Sequence, residues 1–167
     1  MRIKSKLIVL IPFFFLCFFL GNASESLAAT LGFSPSGGSY EVGETINVKV
    51  YVNTASESVN AISASIKFPN DILTLSSISK FGSIINLWAQ EPTFSNTQGT
   101  ASFEGVVLNG YEGSSGTAIT FVFRVKNAGL ANLSFQNASV LANDGSGTDV
   151  LTSKGIAKFN ICLLYTS

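Results

Sequence analysis

The chain has no histidine, two cysteines, four prolines, one methionine and one tryptophan in 167 residues. Histidine is the side chain whose ordinary titration falls in the physiological range, which makes it the commonest general base and metal ligand. Without it, Ser-His-Asp catalysis, Cys-His catalysis and zinc-protease sites are excluded. Charge is sparse as well: 12% of residues are charged, ten Lys plus Arg against ten Asp plus Glu. Nucleic-acid binding runs on dense Lys/Arg patches that neutralise phosphates, and a zero formal charge argues against it. A glycosidase needs two carboxylates about 5–10 Å apart across a cleft. Glu104 and Glu112, flanking one expected hairpin, are the pair best placed to meet. Most other acids lie in turns, as solvated surface groups do. The chain reads as a non-enzyme.

The apolar share, 46% overall, is unevenly spread. Five of the fourteen phenylalanines fall between Phe13 and Phe19, inside an apolar run over residues 7–20. As a helix that run spans about 21 Å, short of a bilayer core of about 30 Å and suited to the h-region of a signal peptide. Arg2, Lys4 and Lys6 precede it as a positive n-region, and Ser26-Leu27-Ala28 supplies small residues for cleavage. Residues 1–28 are expected to be a removed signal peptide. The protein is then secreted or held at a cell surface, with no membrane contact beyond the export signal. Removal leaves seven positive and nine negative side chains, a net charge of −2. The remaining cysteine, Cys162, opens residues 162–167, which read as a non-native tail, so residues 29–161 form one cysteine-free domain. With no disulfide to staple it, the domain depends on a packed core, feasible where about 130 residues bury roughly two-thirds of their surface.

What is present in abundance is alternation. Ile46, Val48, Val50 and Val52 face one way while Asn47, Lys49, Tyr51 and Asn53 face the other. Period two with β-branched residues marks a half-buried strand. The pattern recurs at Ile62, Ala64, Ile66 and Phe68, at Ile119, Phe121, Phe123 and Val125, and in shorter form near Phe103, Leu133 and Phe159. Residues 72–75 and 105–108 are apolar enough for strands covered on both sides or for sheet corners. Between the runs lie Gly- and Asn-rich punctuation, including Asn109-Gly110 and residues 143–147, which favour turns because both residue types tolerate positive φ. Residues 83–90 are the best candidate for a short helical piece. Eight or nine such strands predict an all-β antiparallel sandwich.

Several stretches, in order, resemble the cohesin family, the nine-stranded jelly-roll modules of bacterial cellulosomes and cell surfaces. They are residues 42–50, the strand 59–68, the segment Pro69-Asn70-Asp71-Ile72-Leu73-Thr74-Leu75, residues 116–125 and the turn Asn143-Asp144-Gly145-Ser146-Gly147. The resemblance spans about residues 30–161. It implies a nine-stranded jelly roll and a non-catalytic role in protein–protein attachment to a dockerin-like partner. Cellulosomal cohesins tend to present Asn and Asp to the dockerin from the strand before the aromatic-Asp-Pro segment; here the aligned positions are Ala61 and Ser63, and Phe68-Pro69-Asn70 lacks the family's Asp. The wider superfamily includes cellulose- and chitin-binding modules, so polysaccharide binding is the alternative.

Outward positions on the alternating strands nominate a partner-binding set: Asn47, Lys49, Tyr51, Ser63, Ser65 and Lys67, with Arg124 and Lys126 beside them. For the polysaccharide alternative the candidates are Trp88 and Tyr111, since aromatic rings on a sandwich surface stack on sugar faces. Trp88 also reads as a plug at the end of the core. Asp144 and Asp149, five apart on a Gly-rich turn beside Asn143, are either a plain β-turn or a calcium loop, calcium taking six to eight oxygens from such segments. No other cofactor is expected, and the chain is expected to be a monomer.

Overall fold

The computed structural model describes residues 29–163; the expected signal peptide and residues 164–167 lie outside the described residues. Eleven strands follow one another: β1 (Ala29–Ser34), β2 (Gly37–Glu41), β3 (Thr45–Asn53), β4 (Val59–Lys67), β5 (Leu73–Ser79), β6 (Leu87–Ser95), β7 (Thr100–Tyr111), β8 (Gly116–Val125), β9 (Gly129–Ala142), β10 (Leu151–Lys154) and β11 (Ile156–Cys162). They form a five-stranded sheet in the order β10-β1-β3-β8-β5 and a six-stranded sheet in the order β2-β11-β9-β4-β7-β6. The two stack as a jelly-roll sandwich.

Each strand is placed by its alternation. β3 buries Ile46, Val48, Val50 and Val52, and β8 buries Ala118, Ile119, Phe121, Phe123 and Val125. From the other sheet β4 contributes Ile62 and Ile66, β9 contributes Ala131 and Leu133, and β11 contributes Phe159. Burying each such large apolar side chain is worth about 1.5–3 kcal/mol, which is how the domain holds together without a disulfide. Aromatic pairs order the centre: Phe33 stacks on Phe135 with ring centroids 4.4 Å apart, and Phe68 meets Phe123 edge-on at 5.1 Å. Thr54, the buried polar residue among those described, is satisfied by accepting from the Gly113 N–H at 3.1 Å.

Three details differ from the sequence expectation. Eleven strands replace eight or nine because the first and last of the nine each cross between sheets and are broken, at Pro35-Ser36 and at Gly155. The broken pieces pair in parallel, β1 with β10 and β2 with β11, in an otherwise antiparallel structure. β11 also continues through Cys162, which pairs with Glu41 one residue past the expected boundary.

Residues 83–90 hold no helical turn. The Ile84 N–H bonds the Thr117 carbonyl and the Ser83 hydroxyl bonds the Ala118 carbonyl at 2.6 Å, tying this segment to β8 before β6 begins at Leu87. Asn109-Gly110 does not separate two strands. Both residues have positive φ, 73° and 74°, inside β7. There Val59 pairs with Tyr111 and Ala61 with Val106, so the chain bulges out between them. A bulge re-aims a strand without ending it.

Candidate functional site

The outer face of the six-stranded sheet is laid out in rows fixed by strand register. Leu141, Ala61, Val106 and Leu87 lie side by side across β9, β4, β7 and β6. Next come Ser139, Ser63, Glu104 and Gln90, then Asn137, Ser65, Ser102 and Thr93, then Ser134, Lys67, Thr100 and Ser95. Those on β4 and β7 project outward because they alternate with buried residues, and the residues paired with them on β9 and β6 share that face. The result is an apolar row at one end, extended by exposed Leu108, grading into short hydroxyl and amide side chains. Glu104 is the one carboxylate in these rows. The Lys67 ammonium donates to the Gln98 carbonyl and so is drawn to the edge.

The outer face of the five-stranded sheet is different. Gly32, Tyr51 and Thr117 form one row across β1, β3 and β8, and Ser34, Lys49 and Thr120 form the next. Asn47 pairs with Val122, and Thr45 with Arg124. The hydroxyl end of the Tyr51 ring lies over Gly32, where a Cβ would sit 2.5 Å from its Cζ.

The six nominated partner residues therefore do not share a surface. Asn47, Lys49 and Tyr51 stand on one outer face with Arg124; Ser63, Ser65 and Lys67 stand on the opposite one. Alternation identifies which residues point outward on each strand, but it carries no information on which strands belong to one sheet. Lys126, just past β8, donates to the Asn70 carbonyl at 2.6 Å.

Trp88 and Tyr111 do not form a free aromatic platform. Trp88 is half-buried against Phe103, centroids 6.5 Å apart, and the Lys80 ammonium lies 4.9 Å from the centre of its ring. That ammonium is also paired with Glu91. Tyr111 packs on the core and lies against Gly113 and Gly116, each of which has room for it only because it lacks a Cβ. Glu104 lies in the middle of β7 and Glu112 just past its end, so the two do not face each other across a hairpin.

The carboxylates of Asp144 and Asp149 are spent on their own turn. Asp144 accepts from the Ser146 N–H at 2.8 Å and from the Thr148 hydroxyl at 2.5 Å, and these bonds hold its carboxyl below the ordinary value of 3.8. Asp149 accepts from the N–H groups of Val140 and Leu151 at 3.2 and 3.0 Å. Among the described residues no three acidic, Cys or His side chains gather as a metal site would need.

No family model matches this chain, and no curated protein does. Solved structures do. The seventh type I cohesin of ScaB from Pseudobacteroides cellulosolvens superposes with a TM-score of 0.68 at 16% identity, over 83% of this chain and 95% of that one. This chain has the cohesin fold. The OlpC cohesin of Clostridium thermocellum, solved with a dockerin, gives 0.66 at 14% identity over 83% and 94%. A non-cellulosomal cohesin from the archaeon Archaeoglobus fulgidus gives 0.65 at 19% over 81% and 91%. The sequence resemblance and the architecture thus agree on the cohesin jelly roll, and identities this low make that an agreement about fold.

Proposed function

We propose that this chain is an exported, non-catalytic attachment module of cohesin type, which docks a dockerin-like protein partner at the bacterial cell surface through the outer face of its six-stranded sheet. The graded face carries this reading. An apolar row of Leu141, Ala61, Val106 and Leu87 beside three rows of short polar side chains suits a protein surface with an apolar ridge and hydrogen-bonding flanks. Interfaces concentrate their energy in such a desolvated apolar centre. Cohesin neighbours solved in complex with dockerins support a protein partner.

On this reading Ser63, Ser65 and Lys67 serve the partner, while Asn47, Lys49 and Tyr51 face away from it. Ala61 and Ser63, the positions aligned with the Asn and Asp of cellulosomal cohesins, lie in adjacent rows. The partner accordingly meets a methyl and a hydroxyl there, and a dockerin dependent on carboxylate recognition binds poorly. The test is calorimetric titration of the purified chain with a panel of purified dockerin modules. One or more is expected to bind, and Val106→Lys is expected to weaken that binding about thirtyfold while Lys49→Glu leaves it intact. The opposite pattern, loss with Lys49→Glu alone, overturns the choice of face.

A further inference from the structure

We propose a second binding site on the opposite face: a groove over β1, β3 and β8 that takes a uronic-acid polysaccharide, with Tyr51 as the sugar platform and Lys49 as the carboxylate contact. The groove has a volume of about 690 Å³, and Ser34, Ser36, Lys49, Tyr51, Ser115 and Thr117 line it. That is the size range of small-ligand sites. Beside Pro35, Gly37 and the buried Phe33, it presents one tyrosine ring, one cation and four hydroxyls.

Tyr51 is held down by sequence. Gly32, directly opposite on β1, leaves the space into which the ring folds; a Cβ there would stand 2.5–2.7 Å from three of its atoms. The ring is half-buried and laid over the neighbouring strand, and it still lines the groove. A ring fixed in this way binds without first giving up rotamer freedom, the advantage of an aromatic platform for the apolar face of a pyranose.

Lys49 precedes Tyr51 by two residues on the same side of β3, about 6.6 Å along the strand. It is exposed, and the ion pair found among the described residues joins Lys80, just past β5, with Glu91 and does not involve Lys49. The electrostatic setting extends beyond one lysine. The five strands of this sheet contain Lys49, Arg124 and Lys154 and no Asp or Glu. In a chain expected to be acidic after export, that is a cationic face. A neutral sugar uses the ring and the hydroxyls; an acidic one adds the carboxylate that Lys49 lacks.

The site is independent of the docking face, so the sandwich carries a partner on one side and a glycan on the other. Affinity electrophoresis of the purified chain tests this, with polygalacturonate, neutral hydroxyethylcellulose or polyglutamate in the gel. Retardation by polygalacturonate is expected, weaker retardation by hydroxyethylcellulose, and none by polyglutamate. Tyr51→Ala is expected to weaken polygalacturonate binding about tenfold, and Lys49→Gln about two- to fivefold. Tyr51→Phe keeps it. Ser115→Trp, which fills the groove from an exposed connection without touching the core, removes it. Val106→Lys, on the docking face, leaves it unchanged, so failure here is separable from failure of the protein-docking reading. Absence of retardation by polygalacturonate overturns the site. Equal retardation by polyglutamate, or indifference to Tyr51→Ala and Ser115→Trp together, reduces it to unspecific charge. Equal retardation by the neutral polymer overturns the acidic-sugar assignment.

Discussion

The strands of the five-stranded sheet hold three cations and no acid, whereas those of the six-stranded sheet hold Glu41, Glu91 and Glu104 against Lys67 and Lys158. Both outer faces draw on Ser, Thr and Asn, yet the six-stranded face sets an apolar row among them and the five-stranded face sets one tyrosine and a lysine. The same contrast appears in their glycines. Gly105 lies under the buried Ile85, inside the sandwich, and Gly32 lies under Tyr51, outside it. A missing Cβ shapes the core in one sheet and a surface groove in the other. Two faces built by one folding rule are thus free to acquire separate chemistry, because neither contributes its outward side chains to the core.

Substitutions at these positions test the contrast. The largest effect is expected for Gly105→Val, whose Cβ meets Ile85 Cγ2 at 2.3 Å and the Leu87 carbonyl at 3.1 Å. Overpacking of this kind costs about 2–3 kcal/mol, read as a lowered denaturant midpoint at unchanged slope. Val106→Lys, in the apolar row, is expected to leave the melting temperature nearly unchanged while weakening the proposed dockerin binding about thirtyfold by calorimetry. If stability falls instead, the row belongs to the core and the two faces are less alike than drawn.

Gly32→Ala should cost at most about 1 kcal/mol, since the obstructing atoms are the far end of a surface side chain. It should nonetheless lift the Tyr51 ring, seen as a shift in tyrosine ring resonances by NMR. A destabilisation matching that of Gly105→Val would show that the outer glycine is structural in the same sense as the inner one.

The smallest effect concerns the β9–β10 connection, which joins the two sheets. The Asp144 carboxyl is lowered by the Thr148 hydroxyl and the Ser146 N–H. A folded-state value depressed below the unfolded one gives stability present above the unfolded value near 3.8 and lost as pH falls through the lowered one. Asp144→Ala is therefore expected to lower the melting temperature slightly at pH 6 and by less at pH 2. Equal loss at both pH values would point to the turn's shape, with no part played by its charge.

The core was legible from alternation alone: Ile46 to Val52 and Ile119 to Val125 are buried as the period requires. The ends and edges were not. β6 follows no alternation because it lies at a sheet edge with most of its residues exposed, so residues 83–90 invited a helical reading. β9 was visible only around Leu133, because successive exposed residues, Gln136 and Asn137, break the period at a register shift opposite Ser65-Ile66. Of the partner set, every outward assignment on β3 and β4 agrees with the structure; what escaped was sheet membership. That is decided by pairing between strands far apart in sequence, such as β4 with β9, which no local pattern encodes. The groove around Tyr51 was hidden for the same reason, since Gly32 and Thr117 reach it only through register.

The parallel pairing of β1 with β10 and β2 with β11 also sets how the domain bears tension. Pulling on the chain at Ala29 and Cys162 draws the first and last strands past each other along their length. Evenly spaced hydrogen bonds then share the force and must give way together, where an antiparallel hairpin pulled from its open end would release them one after another. That resistance comes from topology, with no covalent cross-link among the described residues.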